Sequence, residues 1–308
     1  MQVKTFSSAG PTHEFQSLRW DLAFHGGQID ERSSAAVEFV QAGASKSCLS
    51  EYLPEQPDRL KLDGQLTGAS VILEKLRSAN KVVFETTSLG FVEVLQLLRL
   101  AKKAGLAEVD CIYVEPHEYT RDNYLDSSWA RDYSLSESRH LEAVRGFLPP
   151  MDLPVNDARM VVFLGYDSAR LAGAFEQEGE ILSWKRRYAV FGIPGFAPGW
   201  EMNAMANNID TLVRNEFESV RYCAASSVSG AYDLLKTVHK EGRQDNPHTV
   251  VAPFGTKPHG IAAAMFLVNY SEFQQSSLLY DHPGRMKGRS SKVRRWHMYR
   301  INLESEPS

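Results

Sequence analysis

The chain reads as an α/β protein: a mostly parallel sheet with helices on both faces, arranged as two pseudo-repeated lobes. Three observations predict this. Short apolar, β-branched runs alternate with helical stretches of about 10–15 residues, the pattern of parallel strands joined by crossover helices. Several of those runs end in turns rich in Gly, Ser and Thr, at the edge where such sheets bind ligands. A shift of 167 residues also lays one strand–turn–helix–strand stretch over another.

The elements follow in order. Residues 1–20 are mixed in character and are expected to be peripheral. Residues 22–24 are an apolar strand running into the turn 25–32, and 33–41 form a helix. Pro54, Pro57 and Gly64 mark 50–65 as loop. Residues 71–76 lie in a helix and 81–85 in a strand. The capping turn Thr86-Thr87-Ser88-Leu89-Gly90 then opens a helix to about Ala104, with Val92, Leu95, Leu98 and Ala101 near helical spacing. Residues 109–114 form the next strand. Residues 121–158 lack periodicity and contain Pro149, Pro150 and Pro154, which points to a connecting loop or flap. Strands at 160–164, 188–191, 220–224, 249–252 and 277–280 alternate with helices at 171–176, 201–216, 230–240 and 261–268, and a last strand covers about 297–303. The expected division is a peripheral segment 1–20, a first lobe 21–120, a connection 121–158 and a second lobe 159–308.

Composition sets bounds. At 43% hydrophobic and 23% charged, the 308 residues suit an ordinary globular protein. The longest apolar run, 261–268, falls far short of the roughly 20 residues of a membrane span. The first residues lack the apolar core, roughly 7–15 residues, of a signal peptide. Cys48, Cys111 and Cys223 form no Cys-x-x-Cys pair, which argues against a disulfide framework or a cysteine zinc site. A cytoplasmic protein without membrane association is expected. The net charge of −4 hides an asymmetry, because Arg285, Lys287, Arg289, Lys292, Arg294, Arg295 and Arg300 fall in one segment free of acids. Interleaved with Gly284, Gly288, Ser290 and Ser291, they suit a mobile loop closing over phosphates or a solvated hairpin rim. The same segment suits docking on nucleic acid or an acidic partner protein.

The pivot is the stretch from His248 to Asn269. A buried strand enters a turn punctuated by Pro253, Gly255, Pro258 and Gly260 and leaves as an apolar helix. Backbone N–H groups and the helix dipole favour an anion there, and Lys257 adds a full charge. Gly255, Thr256 and Lys257 are therefore the first ligand-binding candidates; the bland reading is a βα turn capped by Thr256. Thr87 and Ser88 offer hydroxyls in the earlier turn. Asp30 with Arg32, and Asp167 with Arg170, place charge pairs in turns that suit a ribose, a phosphate or a local salt bridge. Trp200 heads a helix carrying Asn203, Asn207 and Asn208 and is placed to stack on a base, with Met202 and Met205 facing the core. His259, His282 and His117, with Asp281 and Glu115, are the acid–base candidates. Their spacing defines no metal site, and no Walker A loop, Gly-x-Gly-x-x-Gly turn or Gly-x-Ser-x-Gly elbow is present. The sequence specifies no cofactor.

The 167-residue shift aligns Val83–Gly90 with Val250–Lys257 and Tyr113–Pro116 with Tyr280–Pro283. A weaker echo pairs the Asp30–Arg32 turn with Asp167–Arg170.

At Gly255-Thr256-Lys257, followed by Ala262-Ala263-Ala264, the chain resembles CRISPR-associated Rossmann-fold (CARF) sensor domains and related Rossmann-like proteins of bacterial antiviral defence; Thr86–Gly90 is a looser version. The resemblance implies a Rossmann-like fold, a cyclic oligonucleotide or related nucleotide held at the turn, and a homodimer. Three functions follow as expectations. The first is a sensor binding a nucleotide or other phosphorylated small molecule, with Arg285 closing over it. The second is an enzyme on a phosphorylated or nucleotide substrate, with His259 or His282 as acid–base and Asp281 as orienter or metal ligand. The third is an interaction subunit docking through 285–300.

Overall fold

A computed structural model of the chain describes residues 1–11, 13–120, 133, 135–137, 141, 144–149, 158–178, 186–241, 248–271 and 274–304. In chain order the elements are β1 (Gln2–Ser8), α1 (His13–Ser17), β2 (Trp20–His25), α2 (Glu31–Gly43), β3 (Ala44–Tyr52), β4 (Arg59–Leu62), β5 (Gln65–Gly68), α3 (Ala69–Arg77), β6 (Val82–Glu85), α4 (Phe91–Ala104) and β7 (Glu108–Tyr119). They continue with β8 (Ser136–Glu137), β9 (Ala158–Leu164), α5 (Ser168–Glu178), β10 (Arg186–Gly192), α6 (Trp200–Arg214), β11 (Ser219–Cys223), α7 (Val228–Lys240), β12 (His248–Pro253), α8 (Lys257–Tyr270), β13 (Ser276–Leu278), β14 (Gly284–Arg285) and β15 (Ser290–Asn302). The chain is α/β in class. It divides into two units, Met1–Tyr119 with Lys287–Ser308, and Thr120–Met286. The expected second lobe, 159–308, therefore loses its last segment to the first unit, because β15 pairs there.

The first unit holds, among the described residues, a mixed eight-stranded sheet in the order β1-β15-β7-β6-β2-β3-β4-β5. Strands β7, β6, β2 and β3 are parallel. β15 runs antiparallel to β7 and β1 antiparallel to β15, while β3, β4 and β5 form an antiparallel meander. Three expectations are corrected here. Residues 1–20 are built into the sheet rather than appended to it: β1, an edge strand with mostly exposed side chains, pairs with β15 along its whole length, and Met1 and Phe15 are buried. The loop expected over 50–65 carries a hairpin, since Leu60 and Leu62 alternate toward the core and Asp63 and Gly64 supply its positive-φ turn. The basic segment is not a loop, because the 13-residue strand β15 takes up most of it.

Helix α2 begins at a capping box, with Asp30 accepting from the Ser33 N–H. Its Ala36 and Val40 pack with Trp20, Ala23, Val83, Ile112, Val114, Trp296 and Met298. Helix α4 ends at Gly105, whose φ of 83° gives the left-handed cap that glycine adopts without a Cβ clash.

The second unit is built on a fully parallel five-stranded sheet, β11-β10-β9-β12-β13. The inner strands β9, β10 and β12 run apolar over most of their length, as expected where both faces are covered, whereas the edge strands β11 and β13 carry Arg221 and two serines. Helix α8 is apolar on all sides and buries Ile261 through Val268. The core joins Met160, Val162, Leu164, Ala189, Phe191, Val250 and Ala252 to Leu171, Ala174, Ala204 and Leu212. Most of the expected connection 121–158 lies outside the described residues; within it, β8 pairs with β14. The sheet of the second unit is thus wholly parallel, whereas that of the first is not.

Candidate functional site

In the second unit the strands run spatially third, second, first, fourth, fifth in chain order, so the winding reverses between β9 and β12. In open α/β sheets ligands bind outside the carboxyl ends of the strands at such a switch point. The loops here are Gly165–Asp167 and Phe254–Thr256, both partly exposed at their tips. They touch: a Cβ on Gly165 would lie 2.7 Å from the Phe254 carbonyl oxygen. Thr256 caps α8, accepting from the His259 N–H at 3.4 Å and donating to the Ala225 carbonyl at 2.7 Å. Asn208 donates to the Gly165 carbonyl at 2.9 Å and Asn207 to that of Tyr166 at 2.8 Å. Three loops, from β9, β11 and β12, are thereby fixed around the start of α8. Gly255, Thr256 and Lys257 sit half-buried at its mouth.

Other candidates are spoken for. Arg170 is buried and grips Asp281 with two hydrogen bonds, 2.9 and 2.6 Å. Its guanidinium lies 4.8 Å from the Phe254 ring centroid and 5.6 Å from that of Tyr280. The pair anchors α5 to the segment after β13, so Asp281 orients an arginine rather than a histidine. Asp167 accepts from Ser136 at 2.5 Å, and burial raises its carboxyl above the ordinary range. His259 lies wholly inside the fold. Its Nε2 meets the Ala224 carbonyl at 3.1 Å, its ring packs 5.0 Å from Phe163, and burial lowers its pKa to about 4. It is a neutral structural imidazole that ties α8 to the β11 loop. His282 is buried against the Tyr280 ring at 5.2 Å. Trp200 meets Tyr166 edge-on at 6.3 Å, and Tyr166 lies 5.1 Å from Tyr133, so an aromatic cluster flanks the β9 loop. Met202, expected in the core, is 61% exposed, whereas Met205 packs against the core.

In the first unit the winding reverses between β2 and β6. There the turn is closed on itself. The Glu85 carboxylate, fully buried, accepts from the Thr87 N–H at 2.7 Å, the Ser88 N–H at 2.9 Å and the Ser88 hydroxyl. Ser88 Oγ also accepts from the Gly26 N–H at 2.8 Å, and Thr87 Oγ1 from the Val114 N–H at 3.0 Å. A carboxylate of the chain itself occupies the amides that an anion would use. The expected role of Thr87 and Ser88 as ligand donors gives way to a structural one. Asp30 and Arg32 are likewise internal. Arg32 Nε lies 3.1 Å from Asp30 and 2.9 Å from Ser290 Oγ, and Nη1 donates to the Val114 carbonyl at 3.1 Å. Burial alone would raise the Asp30 pKa; Arg32 and the bonds from Ser290 and Ser33 overcome it and bring it to about 2.

Two cations of the basic segment are placed within their own units. Arg285 is held in β14, and Arg300 bonds Asp110 at 2.8 and 3.1 Å. Sequence patterning marks Asn207 and Asn208 only as members of the Trp200 helix, because the carbonyls they hold lie more than 40 residues away, and it does not single out Glu85 although its partners are two and three residues on. The three cysteines are buried and free. Among the described residues no group of three or more His, Cys, Asp or Glu could hold a metal ion, and no helix is long and apolar enough to cross a membrane.

Comparisons with protein-family models, with curated proteins and with solved structures give no match for this chain. The class of molecule is therefore defined by its own architecture: an α/β protein whose second unit is a parallel sheet with a winding switch point between β9 and β12.

Proposed function

We propose that the second unit binds a nucleotide or other phosphorylated small molecule at the carboxyl edge of its Rossmann-like sheet, as a ligand sensor in a defence or signalling system. One observation carries the reading: the strand order β11-β10-β9-β12-β13 puts the partly exposed Gly165–Asp167 and Gly255–Lys257 loops side by side at the switch point, with the N-terminus of α8 between them. Tyr166 and Trp200 beside the β9 loop suit a base, and the amide end of α8 with Lys257 suits a phosphate. The likeness of Gly255-Thr256-Lys257 to the CARF turn agrees with a cyclic oligonucleotide as the ligand. The idea of a duplication gains support from topology: β3-β2-β6-β7 and β10-β9-β12-β13 match in order, with β6 over β12 and β7 over β13, the same pairs that the 167-residue shift aligns.

The enzyme reading has less behind it, since His259 is enclosed and Asp281 is committed to Arg170. The test is thermal unfolding of wild type and Lys257→Ala against nucleotides, cyclic oligonucleotides, sugar phosphates and short nucleic acids. A ligand at about 100 times its Kd adds about 2.7 kcal/mol. One phosphorylated class should stabilise wild type and not the variant. A panel without any stabilising phosphorylated compound overturns the reading.

A further inference from the structure

We infer that Ser7, His297 and Glu115 of the first unit form a nucleophile, a general base and a positioning carboxylate, an acyl-transfer site that acts on carboxylic esters. The site is independent of the ligand-binding reading and lies on different elements.

Ser7 on β1 faces His297 on β15 directly, and Glu115 on β7 faces Arg295, two residues from His297. Alternation along strands puts all three side chains on one face of three adjacent strands. The Ser7 hydroxyl lies 2.6 Å from His297 Nδ1, and His297 Nε2 lies 2.5 Å from a Glu115 carboxylate oxygen. His297 and Glu115 are buried, whereas Ser7 is exposed to solvent. The rings of Tyr113 and Tyr299 stack near-parallel to the imidazole, at 17° and 6°, and hold its plane. A nucleophile within hydrogen-bond reach of a base, itself oriented by a third group, is the geometry of an activated serine. Donation of Nε2–H to Glu115 leaves Nδ1 to accept from the Ser7 hydroxyl. The two ring nitrogens exchange the roles they take in the serine proteases. Access distinguishes this group from His259, which is enclosed on all sides.

With water as the second substrate, the reaction balances on these groups. The Ser7 oxygen attacks the ester carbonyl carbon as its proton passes to His297 Nδ1. Collapse of the adduct breaks the bond to the alkoxide, which leaves with that proton. Water, deprotonated by His297, then attacks the acyl-serine; the carboxylic acid departs and Ser7 recovers its proton.

The test is labelling of the whole chain with a fluorophosphonate probe, mapped by mass spectrometry. Ser7 should be labelled in the native protein faster than in the urea-unfolded chain, and Ser7→Ala should remove that label. Ser8→Ala should not. His297→Ala should slow labelling by about 100-fold or more, the scale of general-base assistance. Glu115→Gln should slow it and Glu115→Asp restore part of the rate, an ordering that a merely structural carboxylate would not produce at equal unfolding midpoints. If the buried variants do not fold, the native-to-unfolded rate ratio at Ser7 decides alone. A ratio of one or below, or undiminished labelling in folded His297→Ala, overturns the proposal.

Discussion

Acid should weaken the second unit through His259, and the size of the effect follows from its surroundings. Burial lowers the His259 pKa from 6.5 to about 4, only partly offset by its bonds to the backbone of Ala224 and Cys223. The folded protein therefore resists protonation down to about pH 4, while the unfolded chain takes up the proton near 6.5. Stability from this group is complete above about pH 7 and is lost as the pH falls from 6.5 toward 4. Linkage puts the loss between pH 7.5 and 5 at about 2 kcal/mol for this histidine. His239, also lowered to about 4, by burial and then by Arg159, acts in the same direction. Asp167, raised by burial, acts oppositely. Urea unfolding followed by circular dichroism, repeated from pH 7.5 to 4.5, reads the slope. His259→Gln should lower stability at neutral pH yet reduce the slope below pH 6 by about 1 kcal/mol per pH unit. Wild-type stability changing by less than about 0.5 kcal/mol between pH 7.5 and 5, against the linkage estimate, would refute the assignment. So would a slope that His259→Gln leaves intact.

Other outcomes follow from single contacts. Gly26→Ala sets a methyl against the Ser88 carbonyl oxygen and should cost about 1–3 kcal/mol in urea unfolding; an unmoved midpoint would contradict that approach. Arg170→Met strands the Asp281 carboxylate, 2% exposed, and should cost about 3–5 kcal/mol. The double variant Arg170→Met/Asp281→Asn should regain most of the loss, and failure to do so would place the cost in packing against Phe254 instead. Glu85→Gln turns an acceptor of three donors into a group that must present an NH2 to one of them, for a loss of about 1.5–3 kcal/mol. Equal stability of the two proteins at pH 7 would show the carboxylate to be dispensable.

Much of the secondary structure was legible in the residues themselves. Helix α4 announced itself by apolar spacing and the capping turn before it, and β12 by its β-branched run, because propensity, periodicity and caps depend on neighbours a few positions apart. The Thr256 cap was legible for the same reason. The bland side of one paired reading was legible too, since Asp30 with Arg32 does form a local salt bridge, whereas Arg170 pairs with Asp281 rather than Asp167. What failed were judgements about partners. Residues 1–20 looked peripheral and 285–300 looked mobile because neither contains its own reason to be ordered. Each becomes a strand only when β1 meets β15, and β15 meets β7.

Thr87 and Ser88 illustrate the same limit at a site. Their types suit ligand binding, and nothing nearby in sequence reveals that the Glu85 carboxylate folds back into the turn and takes both amides. The sequence by itself determined the α/β class, most elements and the glycine-bearing turns, all of which arise from short-range chemistry. Strand order, the two switch points and the meeting of Ser7 with His297, 290 residues away, were decided only by tertiary structure. Hydrogen-bonded sheet neighbours are chosen by the global burial of apolar faces, and separation along the chain carries no record of that choice.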